Sequence, residues 1–372
     1  MIDPLQIADR MAKIDASGIR KVFDLAAKMT DPINLSIGQP DFDVPQPIRQ
    51  AAIDAIEQGC NKYTQTQGAG ELRAALAGHC AEEFGWTDAD SRPYLVTSGV
   101  SGGLVLAMLA LVNPGDEVVF ADPYFVMYAH LVHLAGGKCV AVDTYPDFAP
   151  DPARFEAAIT DKTRMILLNS PANPTGAVYS KEDLQAIAEI AAKHNLLVVS
   201  DEIYDKFCYD QPFVSMASLY EKTLLLRGLS KSCAMTGWRV GWATGPAAIL
   251  EKMTMLQQYS FVCAPSMAQV ASVVALDYDI SEHVEAYRAK RDMVFQALGD
   301  TFGLVKPGGA FYAFVPAPGG DATQFVTRAI EKNVLIIPGS VFSGRDTHFR
   351  ISYATDNDRL AKGLDILRSL AD

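Results

Sequence analysis

Basic charge is the first thing this sequence is short of. Lys and Arg number 32 against 44 Asp and Glu in 372 residues, a formal net charge of −12. A nucleic-acid partner needs a basic surface to neutralise phosphates, so this balance argues against one while leaving room for a local basic pocket that takes a small anion. Long apolar runs are missing too. The longest, from about Gly102 to Val112, is too short to span a bilayer. The six cysteines (Cys60, Cys80, Cys139, Cys208, Cys233, Cys263) show no paired short spacing, so neither a zinc site nor a disulfide framework is signalled and a reducing compartment is expected. The opening residues, MIDPLQIADRMAKI, carry acids early and lack the basic, apolar, small-residue order of a secretory leader, which makes the cytoplasm the expected location. Internal repeats, low-complexity tracts and Gly/Ser linkers are also absent.

What is present is a chain that is 49% apolar and 20% charged, globular in character and long enough for about two domains. Between about Pro93 and Pro246, short β-branched runs alternate with helical patterns. YLVT, EVVF, KCVAV, RMILL, LLVV, TLLL and RVGWAT read as strands, with helices from about Ser101, Phe125, Pro152 and Lys181. Such alternation predicts an α/β fold with a mostly parallel sheet covered on both faces, and ligands in such folds sit outside the carboxyl ends of the strands. The pattern changes after about Ser266. Long helices to about Gly299 precede AFYAFV, a helix over about 323–332, NVLIIPG, FRISYA and a closing helix. This predicts a second, smaller α+β domain joined by the N-terminal segment.

The chemistry-bearing residues fall at strand ends. After YLVT comes Ser98-Gly99-Val100-Ser101-Gly102-Gly103, a glycine-rich turn opening a helix. It suits either a phosphate, held on backbone N–H groups, or a tight turn with no ligand. After RMILL comes NSPANPTGAVYS, whose prolines hold Asn173 stiffly; alone it fits an ordinary loop equally well. Asp201 follows LLVV, where a carboxylate needs a cation or a donor, or else caps a helix. Lys231 lies in GLSKSCAMTGWRVGW, among small uncharged residues. It reads either as a loop lysine or as an amine nucleophile whose pKa falls on desolvation. Arg350, inside FRISYA, needs an anion; its planar fork fits a carboxylate or phosphate, although an internal salt bridge would also satisfy it.

Taken in order, LSIGQPDFDVP, KYTQTQGAGELR, NSPANPTGAVYS, SDEIYDKF, GLSKSCAMTGWRVGW, VKPGGAFYAF and IIPGSVFSG with HFRISYA resemble the class I/II aminotransferases, the pyridoxal-phosphate enzymes of the aspartate aminotransferase fold (fold type I). The resemblance covers nearly the whole chain. It implies a large domain with a seven-stranded, mostly parallel sheet between helices. It also implies boundaries: residues 1–45 as arm and part of the small domain, 46–275 as the cofactor domain and 276–372 as the small domain.

The resemblance also assigns residues. Lys231 matches the Schiff-base lysine that shuttles a proton at the substrate α-carbon, and Asp201 the carboxylate facing the pyridine nitrogen. Tyr204 and Asn173 match the donors to the ring's phenolic oxygen, and Phe125 the aromatic stacked on the ring. Gly99, Val100, Ser101, Ser230 and Arg239 match the phosphate cup, and Tyr63 the tyrosine that reaches the phosphate from a neighbouring subunit, which implies a homodimer with shared sites. Arg350 matches the arginine that grips the substrate carboxylate, with Asn173 beside it and Gly38 where backbone approaches the substrate.

There is one departure: Gly228 stands three residues before the lysine, where many members carry a hydroxyl. The arginine that binds a second carboxylate in one branch of the family has no assignable counterpart. The expected activity is transfer of an amino group from an L-amino acid (aspartate, aromatic or broad specificity) to a 2-oxo acid such as 2-oxoglutarate. A pyridoxal-phosphate carbon–sulfur β-lyase would use the same residues. A cofactor-binding DNA regulator is disfavoured by charge and by the short stretch ahead of LSIGQPDF. Side-chain selection is expected to lie with Ile14 to Ile37 and the partner subunit, and SGIRKVFDLA resembles the branch of broad aromatic and aspartate aminotransferases.

Overall fold

The computed structural model describes residues 7–14, 18, 27–86 and 92–371. Part of Ile14 to Ile37, including nearly all of SGIRKVFDLA, therefore lies outside the described residues.

The strands are β1 (Ile33–Asn34), β2 (Tyr94–Thr97), β3 (Glu117–Asp122), β4 (Lys138–Asp143), β5 (Thr163–Asn169), β6 (Leu197–Asp201), β7 (Thr223–Gly228), β8 (Gly241–Thr244), β9 (Tyr312–Pro316), β10 (Val334–Leu335), β11 (Ile337–Pro338) and β12 (His348–Ser352). A seven-stranded sheet runs β2-β8-β7-β6-β5-β3-β4. Only β8 runs antiparallel to its neighbours; the other pairings are parallel. Consecutive residues of the central strands alternate between two cores, as a pleated sheet covered on both faces requires. Val118, Phe120 and Leu167 join Leu104, Tyr128 and Leu226 on one side. Val119, Ile166 and Leu168 join Ile187 and Val198 on the other. Each fully buried Leu, Ile, Val or Phe stabilises the fold by about 1.5–3 kcal/mol.

Local chemistry sets the helix starts. The helix Lys181–Lys193 begins at a reciprocal capping box in which Asp183 N donates to Ser180 Oγ at 3.0 Å and Ser180 N to Asp183 Oδ2 at 2.9 Å. The helix Gly99–Leu111 has no side-chain cap. Its first N–H groups, which have no intrahelical acceptor, are left for whatever occupies the space beyond them.

The smaller α+β part is closed by the N-terminal segment. β1 pairs with β10 in parallel, Leu35 N donates to Leu335 O at 2.9 Å, and Ser352 N donates to Leu35 O at 2.7 Å. An antiparallel sheet β11-β12-β9 carries Arg350. The NVLIIPG segment splits at Ile336 because Val334–Leu335 pair with the N-terminal segment whereas Ile337–Pro338 pair with β12. RVGWAT is likewise shorter than expected. Arg239 takes a left-handed conformation (φ 56°) after the turn Thr236–Trp238, so the strand begins at Gly241.

Candidate active site

A cavity of about 300 Å³ opens at the carboxyl ends of β5, β6 and β7. Of the residues singled out in the sequence, it brings together Gly38, Val100, Ser101, Phe125, Asn173, Asp201, Tyr204, Ser230, Lys231, Arg239 and Arg350. Gly99 stands just behind the wall. Tyr63 is elsewhere, 83% exposed on the surface of its own chain. Gly228 faces a separate cavity behind the lysine loop. A Cβ at Gly228 would stand 3.2 Å from Gly241 Cα and Val240 O, so the close pairing of β7 with β8 is what a side chain would disturb.

One end of the cavity is built to take an anion. It combines the open N-terminus of the Gly99–Leu111 helix, Ser101, Ser230 and Arg239. The Arg239 guanidinium donates to Ser101 Oγ at 2.7 Å, Ser98 O at 3.2 Å and Thr236 O at 2.9 Å. Gly99 sits beneath it with φ 67°, and a Cβ there would collide with Arg239 Nη2. Both the left-handed backbone and the close approach therefore require glycine.

Asp201 closes β6 and is buried. Its Oδ2 accepts from Tyr128 Oη at 2.7 Å and its Oδ1 from Ile203 N at 3.3 Å, so it caps no helix. Burial pushes its carboxyl up to about 6, against the Tyr128 phenol, the Ile203 N–H and the Lys231 charge, which pull it down. Asn169 ties this strand end to the next loop: its Nδ2 donates to Asp201 O at 2.9 Å, and its Oδ1 accepts from Asn173 N at 2.9 Å.

The Lys231 amine donates to Gly38 O at 2.7 Å. Burial first, and then the Arg350 and Arg239 charges, lower its pKa to about 8, with Asp201 opposing. Tyr204 Oη shares a 2.8 Å hydrogen bond with Tyr312 Oη, and burial holds its phenol far above the usual range. Arg350 is buried. It donates to Asn173 Oδ1 at 2.9 Å and Ser36 O at 2.6 Å, with its guanidinium carbon 4.6 Å from the ring centres of both Tyr312 and Phe342. Its Nε has no acceptor, and no carboxylate among the described residues pairs with it. Among the described residues, the charged ones lining the cavity are thus Lys231, Arg239 and Arg350 against Asp201, a local positive excess inside an acidic protein.

Sequence reasoning missed Tyr128, Asn169, Thr236 and Tyr312, all in the cavity wall. Asn169, Thr236 and Tyr312 lie inside segments that had already drawn notice. Tyr128 reads from sequence only as the apolar face of a helix.

Fold and cavity together define the class: an α/β protein whose cavity, with a lysine at its centre and an excess of positive charge among its described residues, suits a small anion. The comparisons give the family: the model for aminotransferase class I and II matches residues 30–367, and the chain belongs to it. Aspartate/prephenate aminotransferase of Thermus thermophilus is 38% identical, covering 93% of this chain and 92% of that one. Aromatic-amino-acid aminotransferase 2 of Thermococcus litoralis is 36% identical over 97% of each. Among solved structures, an aspartate aminotransferase from Thermus thermophilus with maleate superposes with a TM-score of 0.93 at 36% identity, covering 98% of this chain and 99% of that one. The protein is an aminotransferase, and the enzymes of its family depend on pyridoxal phosphate.

Proposed function

We propose that this aminotransferase moves the amino group of an L-amino acid, aspartate or aromatic, to a 2-oxo acid such as 2-oxoglutarate. The observation that carries the reading is Arg350. Among the described residues it is a buried guanidinium without a carboxylate partner and with a free Nε–H, lining the same cavity as a lysine whose pKa is lowered to about 8. A buried arginine of this kind suits a carboxylate brought by the substrate.

The residues present fit pyridoxal phosphate. Gly99, whose missing Cβ leaves room for Arg239, makes a phosphate cradle with Val100, Ser101 and Ser230. Asp201 suits a protonated ring nitrogen, Phe125 a ring face, and Tyr204 and Asn173 a phenolic oxygen. When bound, the cofactor supplies an electron sink for the substrate α-carbon. Lys231 would hold it through its amine and would carry the proton at that carbon. A lowered pKa serves both tasks, because a neutral amine is the form that attacks a carbonyl and accepts a proton. Asp201 keeps a positive charge on the ring side of the cavity, and Arg350 with Asn173 orients the substrate carboxylate.

The active form in this reading is a cytoplasmic homodimer. Tyr63, exposed on its own chain, reaches the partner's phosphate cradle. The chain divides into an arm and part of the small domain at 1–45, a cofactor domain at 46–275 and a small domain at 276–372. The test is a half-reaction screen that follows the bound cofactor's visible absorbance as amino acids are offered one at a time. Aspartate or an aromatic amino acid should discharge it and yield the matching 2-oxo acid. Pyruvate and ammonia released from a cysteine derivative, with no oxo acid required, would overturn transamination.

A further inference from the structure

Tyr128 is 2% exposed and lies near the start of the helix Met127–Leu134, three residues beyond Phe125. Its Oη donates to Asp201 Oδ2 at 2.7 Å, and its ring meets the Phe125 ring edge-on at 5.6 Å and 84°. On its other side it packs edge-on against Phe120 at 6.4 Å, deep in the sheet core. The side chain is therefore immobilised by the core while its two ends touch two different walls of the cavity. Asp201 has little else. Its second oxygen has one longer bond, from Ile203 N at 3.3 Å, and the Lys231 amine bonds to Gly38 O instead.

We propose that Tyr128 is a positioning residue of the transamination site, its phenol holding Asp201 in its charged form and aimed into the cavity while its ring braces Phe125. This rests on the reading of Asp201 as the partner of the cofactor ring. A phenol beside a buried carboxylate can act only as a donor here, because burial and Asp201 itself hold its own pKa far above the usual range. Among the described residues, the groups that face Asp201 are Tyr128 from this helix, Tyr204 from the turn after β6 and Lys231 from the loop after β7. Of these, only Tyr128 contributes a side-chain hydrogen bond to the carboxylate. Removing that bond leaves desolvation, which favours the neutral acid, with less to oppose it.

The experiment is carried out on the full chain with 13C-labelled aspartate carboxyls, the Asp201 signal being assigned by its loss in Asp201→Asn. Its titration is followed in the apoprotein, and the pH dependence of kcat in the loaded enzyme. Tyr128→Phe keeps the ring and loses the donor. It should move the Asp201 midpoint upward by about one to two pH units, the worth of one charge-assisted hydrogen bond, and carry the acid limb of kcat with it. Incorporation of 3-fluorotyrosine at position 128, a stronger donor of the same shape, should move the midpoint the other way and carries the test if the Phe variant does not fold. A purely structural Tyr128 would lower thermal stability and leave both midpoints where they are, and that result overturns the proposal. If Asp201→Asn turns over normally, the reading of Asp201 as ring partner fails, while the carboxyl titration still decides what Tyr128 does to Asp201.

Discussion

Replacing Arg350 by lysine keeps the charge and removes the fork, so it separates the substrate's carboxylate site from the cofactor's seat. The guanidinium has five N–H donors; among the described residues one goes to Asn173 Oδ1 and one to Ser36 O, leaving Nε–H and the second hydrogens of both terminal nitrogens for a ligand. A carboxylate can then be met by two parallel bonds. A lysine offers three donors from a single atom, and neighbours such as Asn173 Oδ1 and Ser36 O compete for two of them. One charge-assisted bond to the substrate is lost, worth about 1.5–3 kcal/mol, and the half-saturating amino acid concentration should rise about 10- to 150-fold. The cofactor contacts proposed for Arg239, Asp201 and Lys231 are untouched, so cofactor affinity should change by less than about threefold, a fraction of a kcal/mol. Single-turnover absorbance changes at varied amino acid concentration give the first quantity, and equilibrium dialysis of pyridoxal phosphate gives the second. Unchanged saturation for every amino acid, or a parallel loss of cofactor binding, would refute this account of Arg350.

Three further outcomes are expected. Asp201 has a folded-state pKa of about 6 against an ordinary 3.8, so the folded apoprotein holds that proton more tightly than the unfolded chain does; its stability falls as pH rises from about 4 to 6. Asp201→Asn removes this loss, so the variant apoprotein should be more stable than the parent at pH 8, by up to about 3 kcal/mol, with the gap closing toward pH 4. Urea denaturation at the two pH values checks the sign, and a less stable variant at pH 8 contradicts it. With Lys231 near 8 rather than 10.5, the rate at which the apoprotein takes up pyridoxal phosphate covalently should rise through a midpoint near pH 8. A midpoint near 10 would show an unperturbed amine. If sites are shared, a Tyr63→Phe subunit mixed with a Lys231→Ala subunit regenerates one intact site per hybrid dimer. Activity of the mixture above the sum of the two variants supports this, and strict additivity refutes it.

Some of this was legible locally. Asn173 between two prolines, the glycine-rich turn after YLVT and Asp201 after LLVV each stood at a strand end because β-branched runs, glycine and proline act over a few residues. The strands and helices of the sheet region follow from the same short-range rules. The left-handed Arg239 was not legible, since an arginine carries no preference for that conformation and takes it here because its guanidinium is held by Ser101, Ser98 and Thr236. Tyr128 was invisible for a related reason: it stands on a helix, and its partner lies 73 residues away at the end of β6.

By itself, then, the sequence determined the elements, their alternation and the presence of a lysine, an aspartate and two arginines free of obvious local partners. Tertiary structure alone decided which polar groups meet. Arg350 reaches Ser36 across 314 residues, Lys231 reaches Gly38 across 193, and Asn169 joins two strand ends. Periodicity is set by the backbone repeat of one element, whereas these contacts depend on a strand order, β2-β8-β7-β6-β5-β3-β4, that arises only when both faces of the sheet are packed.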